Sequence, residues 1–428
     1  MNGESVKNRE ILLTIFLILG ILSPGIFIGL NFDKFGQFNS KPVTAVDNTN
    51  SSNTSQSQSL AVSSSQDAEP EFISPNTIEV RTLFFGDVFW GRYVEDWSNA
   101  SALKIAYPFS GLSTFNKENY QAWIGSLNCP ITTNTVTSKL QDKLLKFNCR
   151  PEYLAEAKKW FDIFSLANSH TDNMDGLVGF ESTKKYLQEN KIQFFGHYDK
   201  KVQDDICEVV SVPAKVSYTP EDLQKQNTQK NDNYLLPIVF CGYHNTFALP
   251  TDSQLSQISK YSSLFPTFVY AIQGSEYATK ADGLQQKYLR LMVDKGADAV
   301  IGKGAHVVQN TEVYKGKLIV YSMGNFIYDQ QFSPNVTQGI SVDMGLKIQY
   351  DKNFETWQEI AKSCQDFKDA CLEKAKSMGL QKVRFISSYD IIATDNSKKL
   401  AKKASQEIQQ KMLGRTNWDK TKIELLKE

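Results

Sequence analysis

The sequence predicts an α/β fold with one N-terminal membrane-spanning helix, and three observations carry that expectation. Short apolar runs alternate with longer amphipathic stretches through the middle of the chain. The polar residues of unusual chemistry fall just after the apolar runs, where α/β folds collect their chemistry. A long uncharged segment lies near the N-terminus.

Residues 1–10 carry Lys7 and Arg9 and are expected to stay cytoplasmic, because positive flanks remain inside. Residues 11–32, "ILLTIFLILGILSPGIFIGLNF", hold no charged side chain and match the roughly 20 residues a helix needs to cross a bilayer. Ser23, Pro24 and Gly25 interrupt the run, which membrane helices tolerate, and no small-x-small cleavage site follows. A single-pass signal anchor is therefore expected, with the bulk of the chain extracytoplasmic. Residues 33–75 are rich in Ser, Asn, Thr and Gln and read as a flexible tether.

The folded body is expected over 76–350. "EVRTLFFGDVFW", "FDIFSLANSH", "YLLPIVFCGYHN", "PTFVYAIQGSEY", "ADAVIGKGAH" and "KLIVYSMGNFIY" read as strands ending in polar loops. "PEYLAEAKKW", "DGLVGFESTKKYLQEN" and "DGLQQKYLRLMVDKG" read as helices, the first opened by proline and the last closed by glycine. Residues 351–428 read as a helical appendage packed on the core, with the strand-like "KVRFISSYDIIAT" between its helical stretches.

Composition excludes one class of partner. The 47 basic and 47 acidic residues cancel, and no basic cluster with interleaved aromatics occurs, so nucleic acid is not an expected partner. Six cysteines, none in a C-x-x-C pair, suggest disulfides in an oxidising compartment. Neighbouring pairs 129/149, 207/241 and 364/371 are the first expectation among 15 possible pairings. The last needs a break in its helix, since an unbroken one would hold those Cα atoms about 10 Å apart.

The candidate site gathers Asp87, Asn168, His170, Glu276, Lys303, His306 and Asn325, all placed by the pattern at strand ends, with Arg92 close behind Asp87. "GADAVIGKGAHVVQN" is not a phosphate loop, because a glycine follows the lysine where Ser or Thr belongs. Competing structural readings stand beside each residue. Asp87 would cap a turn, Asn325 would brace backbone, His170 and His306 would be plain hydrogen-bonders, and Arg92 and Glu276 would be solvated ion pairs.

The order of motifs from about Thr77 to Gln349 resembles the CapA family, capsule or poly-γ-glutamate synthesis proteins on a calcineurin-like metallophosphoesterase scaffold. "FFGDVFWGR" is similar to its G-D-x-x-x-G-R, "SLNCPIT" to N-L-E-x-P-I-T, "SLANSHTDNMD" to L-A-N-N-H, and "QGSEY" to the end of H-W-G-x-E-Y. "GADAVIGKGAHVVQNTEVYKGKLIVYSMGNFIYDQ" resembles G-A-D-x-V-I-G-H-H-P-H-V-V-Q with Y-K-G-K-P-I-x-Y-S-L-G-N-F.

The resemblance implies a sandwich of β-sheets flanked by helices and a divalent-metal site. Its ligands carry over to Asp87, Asn168, His170 and His306, with Asp87, His170 and His306 as the catalytic set and Arg92, Glu276, Lys303 and Asn325 as ligand-binding candidates. Three ligand positions depart: Asn128 replaces the carboxylate of N-L-E, Ile272 the His of H-W-G, and Lys303 the first His of G-H-H-P-H. The acidic residue after Asn-Ser-His is also one position out of register. A lysine puts a permanent cation where a dication would sit, and an ammonium about 3 to 4 Å from Asp87 restores part of the lost attraction.

Three expectations follow. One is a membrane-anchored, non-catalytic envelope protein without a cofactor, binding an extracellular polyanion or glycan and working with other capsule-synthesis proteins. The other is a hydrolase, phosphoesterase-like or polymer-cleaving, that keeps one manganese, zinc or magnesium ion. A purely structural adhesion module is a third.

Overall fold

The computed structural model describes residues 71–427 apart from 73, 225–227, 230–232, 247 and 367. The expected cytoplasmic tail, the membrane span at 11–32 and nearly all of the tether lie outside the described residues. Among the described residues no helix is long and apolar enough to cross a membrane.

Fourteen strands join one mixed sheet. In chain order they are β1 (Thr77–Val88), β2 (Ala122–Leu127), β3 (Ile163–Ser165), β4 (Gln193–Phe195), β5 (Cys207–Ser217), β6 (Tyr234–His244) and β7 (Thr267–Ile272). There follow β8 (Ala299–Lys303), β9 (Thr311–Tyr314), β10 (Lys317–Val320), β11 (Asn325–Ile327), β12 (Gln338–Gln349), β13 (Phe385–Asp395) and β14 (Lys402–Lys403). The continuous order is β9-β10-β8-β7-β6-β5-β1-β12-β13-β14, with β2 and β11 also paired to β1 and β3 and β4 following β2.

β1 is the hinge of this arrangement. Its first three residues pair with β5, while its later residues pair with β2 and its last two with β11. Two sheet halves thereby turn toward one another: Phe84 of β1 packs its ring on Phe240 of β6 and Tyr270 of β7, and Phe195 of β4 packs on Phe240. Alternation along β1 then sends Leu83 and Phe85 to the other face, where Trp123, Phe161 and Phe326 form a second aromatic core. Both faces are buried, which is why the parallel strands read as continuous apolar runs.

The expected α/β class with flanking helices is what the chain adopts. Gly283–Asp294 is capped by Asp282, whose carboxylate accepts from the Gln285 amide at 2.8 Å, and the chain leaves it through Gly296 at φ +108°. Gly176–Glu189 forms where its pattern predicts.

Three segments differ from expectation. "PEYLAEAKKW" gives only a 3-10 turn, Pro151–Tyr153, and one α-helical turn, Leu154–Ala157, because the stretch is too short to sustain a helix and its apolar residues are drawn into the second core. "KLIVYSMGNFIY" breaks into β10 and β11, since Gly324 at φ +74° turns the chain from one strand partner to another. The segment after 350 is woven into the sheet rather than merely packed on it. β13 pairs with β12 over eleven residues, and helix begins again only at Gln406, behind the cap of Ser405.

All six cysteines are paired, as 129–149, 207–241 and 364–371. Cys207 and Cys241 are register partners on β5 and β6. Cys364 and Cys371 approach to a Cα separation of 4.7 Å because the helix breaks between Lys352–Asp366 and Lys368–Ser377.

Candidate functional site

The strand ends on one side of the sheet open onto a cleft of about 970 Å³. Its floor is set by a tight crossing of backbones at β1. A Cβ at Gly86 would lie 1.9 Å from the Gly324 carbonyl oxygen, so only glycine lets β11 run beside β1 with Asn325 in register with Asp87. Asp87 is thereby held at the cleft floor, almost fully buried.

Its partner is Lys303, the last residue of β8. Lys303 Nζ lies 2.5 Å from Asp87 Oδ1, and both side chains are nearly sealed from solvent. Asn168 Nδ2 donates to the same oxygen at 3.3 Å and to Ser126 Oγ at 3.3 Å. Burial lowers the Lys303 pKa and the adjacent Asp87 carboxylate opposes that shift. At this separation the pair is an ion pair with hydrogen-bonded ends, as the charge argument from the sequence expects. Lys303 and Ile272 are register partners on β8 and β7, so two of the three departures from the family motif sit side by side.

The histidines are fixed by amides. His170 Nδ1 pairs with Asn173 Oδ1 at 2.6 Å, its ring stacks 4.1 Å from Phe147, and burial pushes its pKa down to about 4. The ring is therefore neutral at pH 7. His306 Nδ1 pairs with Asn325 Oδ1 at 2.8 Å and lies 3.9 Å from Asp87 Oδ2, while its Nε2 lies 3.9 Å from Glu276 on the rim. Arg92, Tyr277 and His306 all take left-handed backbone, with φ of +48°, +62° and +59°, a conformation that costs side chains about 1 to 3 kcal/mol and clusters at functional sites.

Asp87, Arg92, Asn168, His170, Glu276, Lys303 and His306 all line the cleft. Two of the ligand-binding candidates, Arg92 and Asn325, are held by neighbouring groups of the chain. Arg92 has no free charge to offer: Asp329 engages it bidentately at 2.5 Å, Asp142 takes a third contact at 3.0 Å, and its guanidinium lies over the Phe147 ring. Asn325 is not among the cleft-lining residues: it donates to Gln330 and to the Val336 carbonyl, and its Oδ1 pairs with His306 Nδ1.

Sequence reading did not identify Tyr277, Tyr328 or Asp329. The last two lie in the "GNFIYDQ" stretch and Tyr277 adjoins Glu276, so proximity to the matched motifs was the available signal. Asn128, in the loop anchored by the Cys129–Cys149 bridge, donates to Tyr328 Oη at 3.1 Å, and its Oδ1 has no partner among the described residues.

The donor set does not suit a divalent metal. Asp87 already faces the Lys303 ammonium, and Asn168 turns its NH₂ rather than its oxygen toward Asp87. Ile272 offers no donor. Among the described residues no group of three or more His, Cys, Asp and Glu side chains converges to hold a metal ion.

Comparison with known proteins gives a consistent pattern. A family model described as "Bacterial capsule synthesis protein PGA_cap" matches residues 81–330, more than half the chain. The chain is 26% identical over 255 residues to the PGA biosynthesis protein CapA of Bacillus subtilis (strain 168), covering 58% of this chain and 63% of that protein. It is 26% identical over 256 residues to the capsule biosynthesis protein CapA of Bacillus anthracis, covering 57% of this chain and 59% of the other. A 91-residue stretch is 35% identical to the uncharacterized protein y4sH of Sinorhizobium fredii (strain NBRC 101917 / NGR234), or 21% of this chain and 19% of that one. The chain thus matches less than two thirds of the length of either CapA.

Proposed function

Because the chain belongs to the bacterial capsule synthesis protein (PGA_cap) family, we propose that it works in the synthesis or retention of a capsule or related exopolymer. In this reading it is anchored at the cell membrane by residues 11–32, its body is extracytoplasmic on a calcineurin-like metallophosphoesterase scaffold, and it holds polymer in the cleft without cleaving it. The observation that carries the non-catalytic reading is the Lys303 ammonium 2.5 Å from Asp87. A cation paired with Asp87 there repels an incoming dication, and the missing carboxylate at 128 and imidazole at 272 remove the ligands that would outweigh that repulsion.

The retained Asp87, Asn168, His170 and His306 around one cleft favour the second reading, a hydrolase working with a single ion. Elemental analysis of the purified full-length protein separates the two. Less than about 0.1 manganese, zinc or magnesium per chain is expected, with no phosphodiester hydrolysis on adding any of the three. The triple variant Asn128→Glu, Ile272→His, Lys303→His should take up metal where each single change does not, because affinity depends on ligand number and geometry together. About one metal per chain in the unaltered protein would restore the hydrolase reading.

A further inference from the structure

The cleft carries a recognition chemistry of its own, and its charges are the first clue. Among the described residues that line it, Lys303 and Arg92 are the lysine and arginine, and both are consumed. Lys303 is closed onto Asp87, and Arg92 is clamped by Asp329 with Asp142 beside it. His170 has its Nδ1 taken by Asn173 Oδ1 and its ring laid on Phe147. The carboxylates are less fully spent: Glu276 has 64% of its side chain exposed at the rim. A polyanion needs cations whose donors are still free, and this cleft presents it with a net negative wall.

The rim supplies the second clue. Leu145, Leu249, Leu284 and Tyr277 line the opening, and each is more than a third exposed. Phe332 packs its edge on the Tyr277 ring at 5.4 Å and is itself 67% exposed. Large apolar side chains gathered exposed around one cavity mark a contact surface. Tyr277 is held there by its left-handed backbone and by Gln330, which donates to its hydroxyl at 3.1 Å. The lining also carries the exposed hydroxyls of Thr246 and Ser275 and the Gln330 amide, while Asn245 and Gln273 are buried behind them and bonded to each other at 3.2 Å. Amides and hydroxyls both donate and accept, and so suit a ligand that does the same.

We propose that this cleft takes a segment of uncharged, hydroxyl- and amide-bearing glycan, with sugar faces laid on the Tyr277 and leucine rim and polar edges met by these hydroxyls and the Gln330 amide, and that it rejects polyanionic chains such as poly-γ-glutamate. This selectivity rests on the reading that the cleft holds exopolymer. It follows from the same substitution that removed metal chemistry, because an internal lysine satisfies Asp87 while leaving no positive charge for a ligand.

The test uses full-length protein in detergent micelles and two probes, the tetramer of N-acetylglucosamine and a γ-linked glutamate tetramer, titrated calorimetrically at low and at physiological salt. The sugar tetramer should bind with an affinity that changes less than twofold between the two salts, and Tyr277→Ala should weaken it at least tenfold with an unchanged thermal midpoint. The glutamate tetramer should show no saturable binding in the wild type. Glutamate binding that is lost as salt rises would overturn the selectivity and leave the exopolymer reading standing. Binding of neither probe would overturn both. Sugar binding that Tyr277→Ala and Glu276→Lys leave untouched would place it outside the cleft and also overturn the proposal.

Discussion

Replacing Lys303 by methionine keeps most of the aliphatic stem beside Ile272 but leaves Asp87 buried without its cation. Breaking a buried pair at one end costs about 3 to 5 kcal/mol, whereas removing both ends costs far less. Lys303→Met should therefore lower the stability measured by urea unfolding by that amount, and adding Asp87→Asn should recover most of it. A double variant as unstable as the single one would show that the pair is not the stabilising unit. His170 adds a pH term. Its folded pKa is pushed below its ordinary value of 6.5 to about 4, so between those values the unfolded chain binds the extra proton. Its contribution is intact above about pH 6.5 and is lost as pH falls toward 4. Unfolding midpoints at pH 7.5 and pH 5 should differ more in the wild type than in His170→Gln. The Asp87–Lys303 contact could be read from the sequence because a lysine at a metal-ligand position has an obvious partner in the carboxylate that the metal would have met. The Arg92–Asp329 pair could not, since 237 residues separate its members and no motif links their charges.

Strands whose two faces are buried announce themselves as apolar runs, so β1, β6, β7 and β8 were legible at the level of elements. The division of "KLIVYSMGNFIY" was not, because both pieces are equally apolar and the information lies in Gly324 and in what it touches. Gly86 is the counterpart on β1. Gly86→Ala would drive a methyl into the Gly324 carbonyl, and overpacking of this kind costs about 1 to 3 kcal/mol or more. The urea midpoint should fall accordingly, and Asp87 should be displaced with it. Gly414 is the control: it sits in Gln406–Thr416 with nothing within 4 Å of the place a methyl would take, so Gly414→Ala should raise stability by about 0.5 to 1 kcal/mol through helix propensity. The Cys129–Cys149 bridge closes a 20-residue separation, and Cys129→Ser with Cys149→Ser should cost about 3 kcal/mol by loop-closure entropy. It should also loosen Asn128, the residue next to it on the cleft wall.

For the molecule as a whole, the α/β class follows from periodicity, but the recruitment of the last eighty residues does not. β13 is exposed at its start, through Ile386, Ser387 and Ser388, and buried at its end, from Ala393 to Asp395, and it reads as an isolated strand until β12 is seen beside it. The apolar rim of the cleft was equally invisible, since Leu145, Leu249, Tyr277 and Leu284 come from distant stretches of the chain, Leu284 from the first turn of Gly283–Asp294. The proposed anchor is the opposite case, resting wholly on a local property of the sequence. Residues 11–32 have spanning length and no charge, so transfer of the run into a bilayer is favourable and the full-length protein should stay in the membrane pellet after high-salt and carbonate washes. An arginine near the centre of a spanning helix costs about 2.5 to 3.5 kcal/mol on insertion scales. Leu17→Arg with Leu19→Arg should therefore move most of the protein to the soluble fraction while its urea unfolding midpoint stays unchanged. The mature N-terminus read by mass spectrometry distinguishes anchoring from secretion: a start within the first ten residues is expected, and a start beyond residue 25 would mean that the segment is a cleaved signal and that the body reaches the envelope untethered.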